Sequence, residues 1–400
     1  TDVSSRACVA IGSSALATMN NTNTDAYNTA VGFGAGAAVT TGTVNTLIGG
    51  LAGYAITTGL ANVAVGTSAL SANTTASNNT AVGRNALAAN TTGAQNVAIG
   101  RDALLVNTTG ADNTAVGTGA LTANTTAPYN VAVGRLALTA NTTGAENTAV
   151  GSSALDANTT GTHNVAIGRE AMGANSTGYE NTTVGNQAGA AITTGYHNVI
   201  IGHRTSYEAN GTTTGINNTI VGAFARPSSA TAGNELVVGR YALGQGTNTG
   251  TLGIDGNGVS IALNNSTTAW SKHSDERLKE NIVDSTAGLS FINDLRPVTY
   301  TWKAKKDISA EFENHYDADS NEPVQGMEDT TYHGFLAQEV KSIIDNHPEI
   351  ENGHAIWRES PDGIQNLADG AFMPMMVKAM QELSTQVDEL KQELIALKGE

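Results

Sequence analysis

Along most of the chain, polar and apolar positions alternate in one recurring five-residue phrase. Asn-Thr-Ala-Val-Gly ends at Gly32 and Gly83, Asn-Thr-Leu-Ile-Gly at Gly49, Asn-Val-Ala-Val-Gly at Gly66 and Asn-Val-Ala-Ile-Gly at Gly100. The series continues at Gly117, Gly134, Gly151, Gly168, Gly185 and Gly202, always 17 residues apart. Degenerate copies end at Gly12, Gly222 and Gly239, and the steps from Gly12 to Gly32 and from Gly202 to Gly222 are 20 residues, each with a three-residue insertion. Each unit adds an Ala-Leu pair (Ala69-Leu70, Ala86-Leu87, Ala103-Leu104) and then Ala-Asn-Thr-Thr-Gly or a close variant. Strict alternation predicts short strands, and self-similarity at a fixed period predicts stacked units. Seventeen residues suits one coil of a β-solenoid, with the glycine at a tight turn.

Within a phrase, Val97 and Ile99 share one face and Asn96 and Ala98 the other. Hydrophobicity alone puts Val97 and Ile99 in the coil interior. The Ala column (Ala64, Ala81, Ala98, Ala115, Ala132) then becomes a smooth surface for a neighbouring chain, and stacked Asn residues form a hydrogen-bonded ladder. At ~4.8 Å per coil, the twelve steps from Gly32 to Gly239 make a rod about 60 Å long.

After residue 240 the period is lost. Residues 241–273 predict a β-rich neck with a turn at Asp255-Gly256-Asn257-Gly258. Leu289 to Lys303 predicts a helix and then a strand after Pro297; Tyr332 to Ile344 predicts a short strand entering a helix. The end of the chain carries four heptads, with Met373, Met380, Val387 and Leu394 at a and Met376, Leu383, Leu390 and Leu397 at d, which predicts a coiled coil over 373–397. Pro374 falls at the helix start, where it is tolerated. The predicted division is thus 1–240 repeat rod, 241–273 neck and 274–400 a small α+β domain.

Charge follows the same division. Residues 1–273 hold 9 Lys and Arg against 11 Asp and Glu; residues 274–400 hold 11 against 25. So acidic a chain repels nucleic acid and anionic lipid, and no apolar run is long enough to span a bilayer. The single Cys8 excludes an intrachain disulfide and argues against a cysteine-rich metal site; no metal or cofactor is expected.

Most repeat columns read as a structural shaft. The Asn-Thr-Thr triplets match a glycosylation sequon because the corner recurs, and stacked Thr rows would suit an ice-binding face, which nothing downstream supports. The acids Asp102, Asp112, Glu146, Asp156, Glu170 and Glu180 lie at columns that do not converge, whereas a polysaccharide hydrolase needs paired carboxylates. The column before each strand varies: Gln95, Asp112, Tyr129, Glu146, His163, Glu180, His197, with Tyr179 and Tyr196 one step earlier. Exposed aromatics on a plain rod suit weak, multivalent saccharide contact. Tyr129, His163, Tyr179, Tyr196 and His197 are therefore candidate receptor residues, with His203 and Tyr207 of the insertion loop; simple tolerance of variation at a corner accounts for the column as well.

The repeats resemble those of trimeric autotransporter adhesin heads, which are parallel β-rolls, although the period here is longer; they are also similar to repeats in bacteriophage tail fibres. The second half resembles a family more closely. Ser-Asp-Glu-Arg-Leu-Lys-Glu-Asn-Ile from Ser274, Leu-Arg-Pro-Val-Thr-Tyr-Thr-Trp-Lys from Leu295, Gly-Phe-Leu-Ala-Gln-Glu-Val from Gly334 and the terminal heptads, in that order, are similar to the intramolecular chaperone auto-processing domain of phage tailspikes and tail fibres, endosialidases included. That resemblance implies a homotrimeric, β-rich fibre that binds a bacterial surface polysaccharide or other receptor. It also implies a domain that guides trimer assembly and cuts itself off once at His273–Ser274, with the family's Ser-Lys dyad falling on Ser274 and Lys279. A virion fibre is implied first; alternatives are a bacterial surface adhesin with the same module and a fibre with hidden hydrolase activity. Taken alone, Ser274 reads as a helix N-cap followed by two acids.

Overall fold

The computed structural model describes residues 7–20, 25–207, 211–255, 257–263, 271–272, 280, 282–309, 316–325, 330–350, 356–360 and 364–398. The chain divides into Thr1–Ser274 and Asp275–Glu400.

In the first unit, fourteen three-residue strands from Val9–Ile11 to Leu236–Val238 stack in one parallel sheet. Adjacent coils align residue for residue: Ala98 lies beside Ala81 and Ala115. The two longer steps keep that register, with Val9 opposite Thr29 and Val199 opposite Thr219. The ladder continues into Thr249–Ile254, which forms an antiparallel hairpin with Asn257–Ala262; Ser271–Lys272 pairs with Val259–Ser260. The architecture is the mainly β, 17-residue solenoid that the period predicts.

Its polarity is the reverse of the hydrophobic expectation. Ala64, Ala81, Ala98, Ala115 and Ala132 are fully buried, as are Asn62, Asn79, Asn96, Asn113 and Asn130. Ile99 and Ile167 are each 40% exposed, and Val97 is only partly covered. The reason is width. The opposite wall of each coil contributes a fully buried Leu (Leu70, Leu87, Leu104, Leu121, Leu138, Leu155), which leaves room for only a methyl group across from it.

The exceptions follow from volume. Where the strand's central residue is Leu47, the facing Leu position is Gly36 or Gly53, and a Cβ there would sit 2.6 or 2.7 Å from Leu47. In those same coils the buried corner residue, elsewhere Asn, is Val39 or Ile56; Gly189 with Ile192 repeats the exchange near the other end. Interiors conserve volume more strictly than identity.

Two buried Asn ladders replace the side-chain core that so thin a coil lacks. In the first, Asn96 Nδ2 donates to Gly110 O at 2.9 Å, and its backbone N–H donates to Asn79 Oδ1 at 3.0 Å. In the second, Asn124 Nδ2 donates to Asn107 Oδ1 at 2.9 Å and to Ala127 O at 3.0 Å. This second ladder runs from Asn73 to Asn175. It stops because Ile192 occupies the next position, which leaves Asn175 Oδ1 without a donor. Gly83 shows why the strand-ending glycines recur: its φ is +131°, and a Cβ would lie 2.6 Å from Gly100 O in the next coil.

These ladders set a measurable cost. Asn124→Ala strips an acceptor from Asn141 Nδ2 and a donor from Asn107 and Ala127. At ~1–3 kcal/mol for a buried polar group left unpaired, the expected loss is at least about 2 kcal/mol. It should be read as a lower denaturation midpoint and faster amide exchange in the flanking coils. Thr125→Ala, at a half-buried hydroxyl, is the comparison and should cost under about 1 kcal/mol; equal costs would deny the ladder its role.

The second unit is α+β. Helix α1 (Leu289–Asp294), helix α2 (Ala337–Asn346) and helix α3 (Met373–Lys398) are joined by two small hairpins, Val298–Tyr300 with Tyr332–Gly334 and Trp357–Glu359 with Gln365–Leu367. Its core is Phe291, Leu295, Val340, Ile344, Ile356 and Phe372. Lys305–Asp307 forms one 3-10 turn tied to Ser320 and Glu322, so part of the acidic 305–331 insert folds back on itself.

Candidate functional site

His273, Ser274 and Lys279 lie outside the described residues. Their surroundings in sequence are defined: Ser271–Lys272 closes the neck sheet upstream, and α1 begins at Leu289 downstream.

In the second unit, α3 joins the core only at its start. Glu382 accepts the Leu289 N–H at 2.7 Å and so caps α1 from 93 residues away. A carboxylate at a helix N-terminus is favoured by the exposed N–H groups and the helix dipole. From Leu383 to Lys398 every residue of α3 is exposed. The heptad positions are bare: Met373 62%, Met380 64%, Leu390 62% and Leu397 74% exposed. Among the described residues, a single chain therefore presents a long apolar stripe with nothing against it. Among the described residues, no helix is long and apolar enough to cross a membrane.

His347 ties α1 to the end of α2. Its ring nitrogens meet Glu349 at 2.6 Å and Asp294 at 2.8 Å, and its ring stands edge-on to Phe291 at 5.4 Å. The hydrogen bonds to Glu349 and Asp294 raise its pKa above the usual imidazole value, and His347 in turn lowers that of Glu349. A histidine whose folded pKa is raised contributes stability that is complete below about pH 6.5 and is lost as pH rises through the folded value. The lowered Glu349 contributes above its unfolded value, near 4.5, and that part is lost in acid. The second unit should thus be most stable between these limits. Tryptophan-detected melts, which follow Trp302 and Trp357 of this unit together with Trp270 upstream, should show a higher midpoint at pH 6 than at pH 9. His347→Gln should flatten that slope; an unchanged slope would refute the clamp.

On the rod, the column before each strand holds left-handed backbone throughout, with φ of 60° at Tyr129, 57° at His163 and 57° at His197. Side chains there leave the coil at its corner. Tyr129 is 59% exposed and stands apart from the other candidates. His163 pairs with Glu146 at 3.2 Å, and His197 with Glu180 at 2.7 Å. The Tyr179 and Tyr196 rings stack at 4.7 Å, and His197 stands edge-on to both. Three of the sequence candidates are therefore one aromatic strip.

His203 and Tyr207 belong to a second cluster. His203 packs edge-on against Phe224, Phe224 stacks on Tyr241 at 4.7 Å, and the Arg204 guanidinium lies 4.2 Å over the Tyr207 ring. Reading only the pre-strand column misses Arg204, Phe224 and Tyr241, which stand two residues after successive strand-ending glycines.

The acids stay dispersed in roles. Glu170 is held by Arg169 and by Gln187 at 2.6 Å, and Asp102 by Asn85 at 3.0 Å. Burial pushes the Asp156 carboxyl above its usual range, with Glu170 adding to the shift.

Neither a curated protein nor a solved structure matches the chain. A family match exists over residues 274–347, narrower than the span of the resemblance, and it ends before α3. Those residues match the family model described as chaperone of endosialidase, and with the seventeen-residue solenoid ahead of them they fit a fibre of the tailspike or endosialidase type that carries an intramolecular chaperone.

Proposed function

We propose that the chain is a homotrimeric tail fibre that recognises a host surface, and that its C-terminal unit guides assembly and then releases itself at His273–Ser274. The observation that carries this reading is the chaperone match at 274–347, which starts where the solenoid unit ends.

The outward Val and Ile of each strand support the trimer. They form a continuous, in-register ridge of β-branched residues, and exposed apolar ridges on parallel strands invite association. The bare heptads of α3 supply the second self-associating surface. Three chains begin to assemble through α3, and the rods zip along their ridges.

Cleavage then uses Ser274 as nucleophile. Its hydroxyl is weak until a base takes its proton. Lys279 is that base when neutral, a state that burial favours. Ser274 Oγ attacks the His273 carbonyl carbon, the His273–Ser274 amide breaks, and the acyl group passes to Oγ as an ester. The amine of Ser274 takes the proton, and water hydrolyses the ester. Removing the acidic chaperone traps the finished fibre kinetically, because the refolding template is gone. The mass spectrum of purified protein tests this: a fragment starting at Ser274 is expected, and an uncut chain in a trimer would overturn the processing role.

A further inference from the structure

Near the end of the solenoid, one surface column changes chemistry. Two residues after the strand-ending glycine, it reads Asp102, Gly119, Leu136, Ser153, Glu170 and Gln187, and then Arg204, Phe224 and Tyr241. All three of these last residues keep the left-handed backbone of the column, with φ of 52°, 59° and 53°. The solenoid therefore presents their side chains in a row, one per coil. The Phe224 and Tyr241 rings are parallel to within 5°. The Arg204 guanidinium is 4.2 Å from the Tyr207 ring centre and 6.0 Å from that of Phe224. Together with Arg226, these side chains line a cleft of about 270 Å³.

The charge in this cleft is unevenly committed. Arg240, beside it, is paired with Asp255 at 2.7 Å, and Arg226 is already engaged. Arg204 differs: its Nε is buried and, among the described residues, has no hydrogen-bond partner. A buried cationic N–H without an acceptor is costly, and the Tyr207 ring satisfies the face of the guanidinium but not its edge. The edge offers Nε and a neighbouring Nη side by side, a planar fork that fits the two oxygens of a carboxylate. Beside it lie flat aromatic surfaces, which favour the C–H face of a sugar ring.

We propose that this cleft binds one carboxylate-bearing sugar unit of a surface polysaccharide, with the carboxylate on Arg204 and the ring against Phe224 and Tyr241. The proposal rests on the host-recognition reading and gives it a ligand class and a place. A single uncommitted guanidinium matches one negative charge, and repetition over three chains gives avidity to weak single contacts.

The test uses the full chain with oligogalacturonate, and with the same oligosaccharide after its carboxyls are reduced to alcohols, followed by saturation-transfer NMR and calorimetry. Wild type should bind the acid at least tenfold tighter than the reduced sugar, and salt should weaken binding. Arg204→Met, which keeps an apolar stem over Tyr207, should abolish the preference for the acid. Tyr241→Ala should weaken both sugars about equally, and Tyr54→Ala, at an exposed ring many coils away, should change neither. Failure of wild type to bind oligogalacturonate, or binding unchanged in Arg204→Met, overturns the proposal. Adsorption to a panel of capsulated bacteria separates the two levels. Equal adsorption by wild type and Arg204→Met overturns the cleft alone, whereas a wild type that adsorbs to none of the strains overturns host recognition with it.

Discussion

Ser274→Ala should give a chain that is never cut, and Lys279→Ala one that is cut slower by ~10²–10⁴-fold, the usual worth of a positioned proton-transfer group. Both proteins should still be trimers. The reason for expecting separable effects lies in where the structural work is done. The solenoid is held by interior Ala, Leu and Asn columns that end before the seam, and the second unit by Phe291, Leu295, Val340, Ile344, Ile356 and Phe372. Without Ser274 Oγ no ester forms, so loss should be complete; without Lys279 a water or another base serves poorly. Electrophoresis and mass spectrometry of the three proteins read the outcome, with light scattering for the trimer. A Ser274→Ala chain that is still cut would assign the cleavage to a contaminating protease. A wild-type fragment starting elsewhere would move the scissile bond from the seam.

Much of this architecture is legible in the sequence because repetition amplifies weak signals. Fourteen copies of a five-residue phrase fix the period, the strands and the parallel register. Four features were not legible. The inward face was misread because a three-residue strand carries only one central residue. Ranking Val97 and Ile99 over Ala98 by hydrophobicity ignored that Leu104 from the far wall already fills the coil. One buried Asn column reads as a ladder, yet the second, Asn73 to Asn175, reads only as a polar corner because its Asn-to-Asn hydrogen bonds close between coils. In the second unit, the helices and the heptads followed from local pattern, but the cap that Glu382 places on α1 joins residues 93 apart in the chain. The same limit hid Phe224 and Tyr241. Each is an ordinary aromatic in a degenerate copy, and only the stacking of coils makes them one surface.

A double substitution on the outward ridge, Ile99→Lys with Ile167→Lys, is expected to leave the coil folded and to prevent stable trimers. Both side chains point away from the interior, where Ala98, Ala166, Leu104 and Met172 remain buried and in place. Strand register rests on backbone pairing that the change does not touch. Circular dichroism should therefore keep its β signature. Association should suffer far more. If the ridges meet around a common axis, each substitution brings three ammonium groups together in a region drained of water, and unpaired buried charge costs several kcal/mol per ion. Two such layers exceed what the remaining apolar contacts of the rod supply, and light scattering of the rod freed of α3 should report monomers. The reverse substitution separates this surface from the one that hydrophobicity alone suggested. Ala98→Leu adds three carbons to a filled interior, so it should destabilise the coil by about 1–3 kcal/mol through overpacking while leaving the association surface intact. A Lys double variant that remains a trimer with an unshifted melting temperature would place the interface elsewhere on the rod.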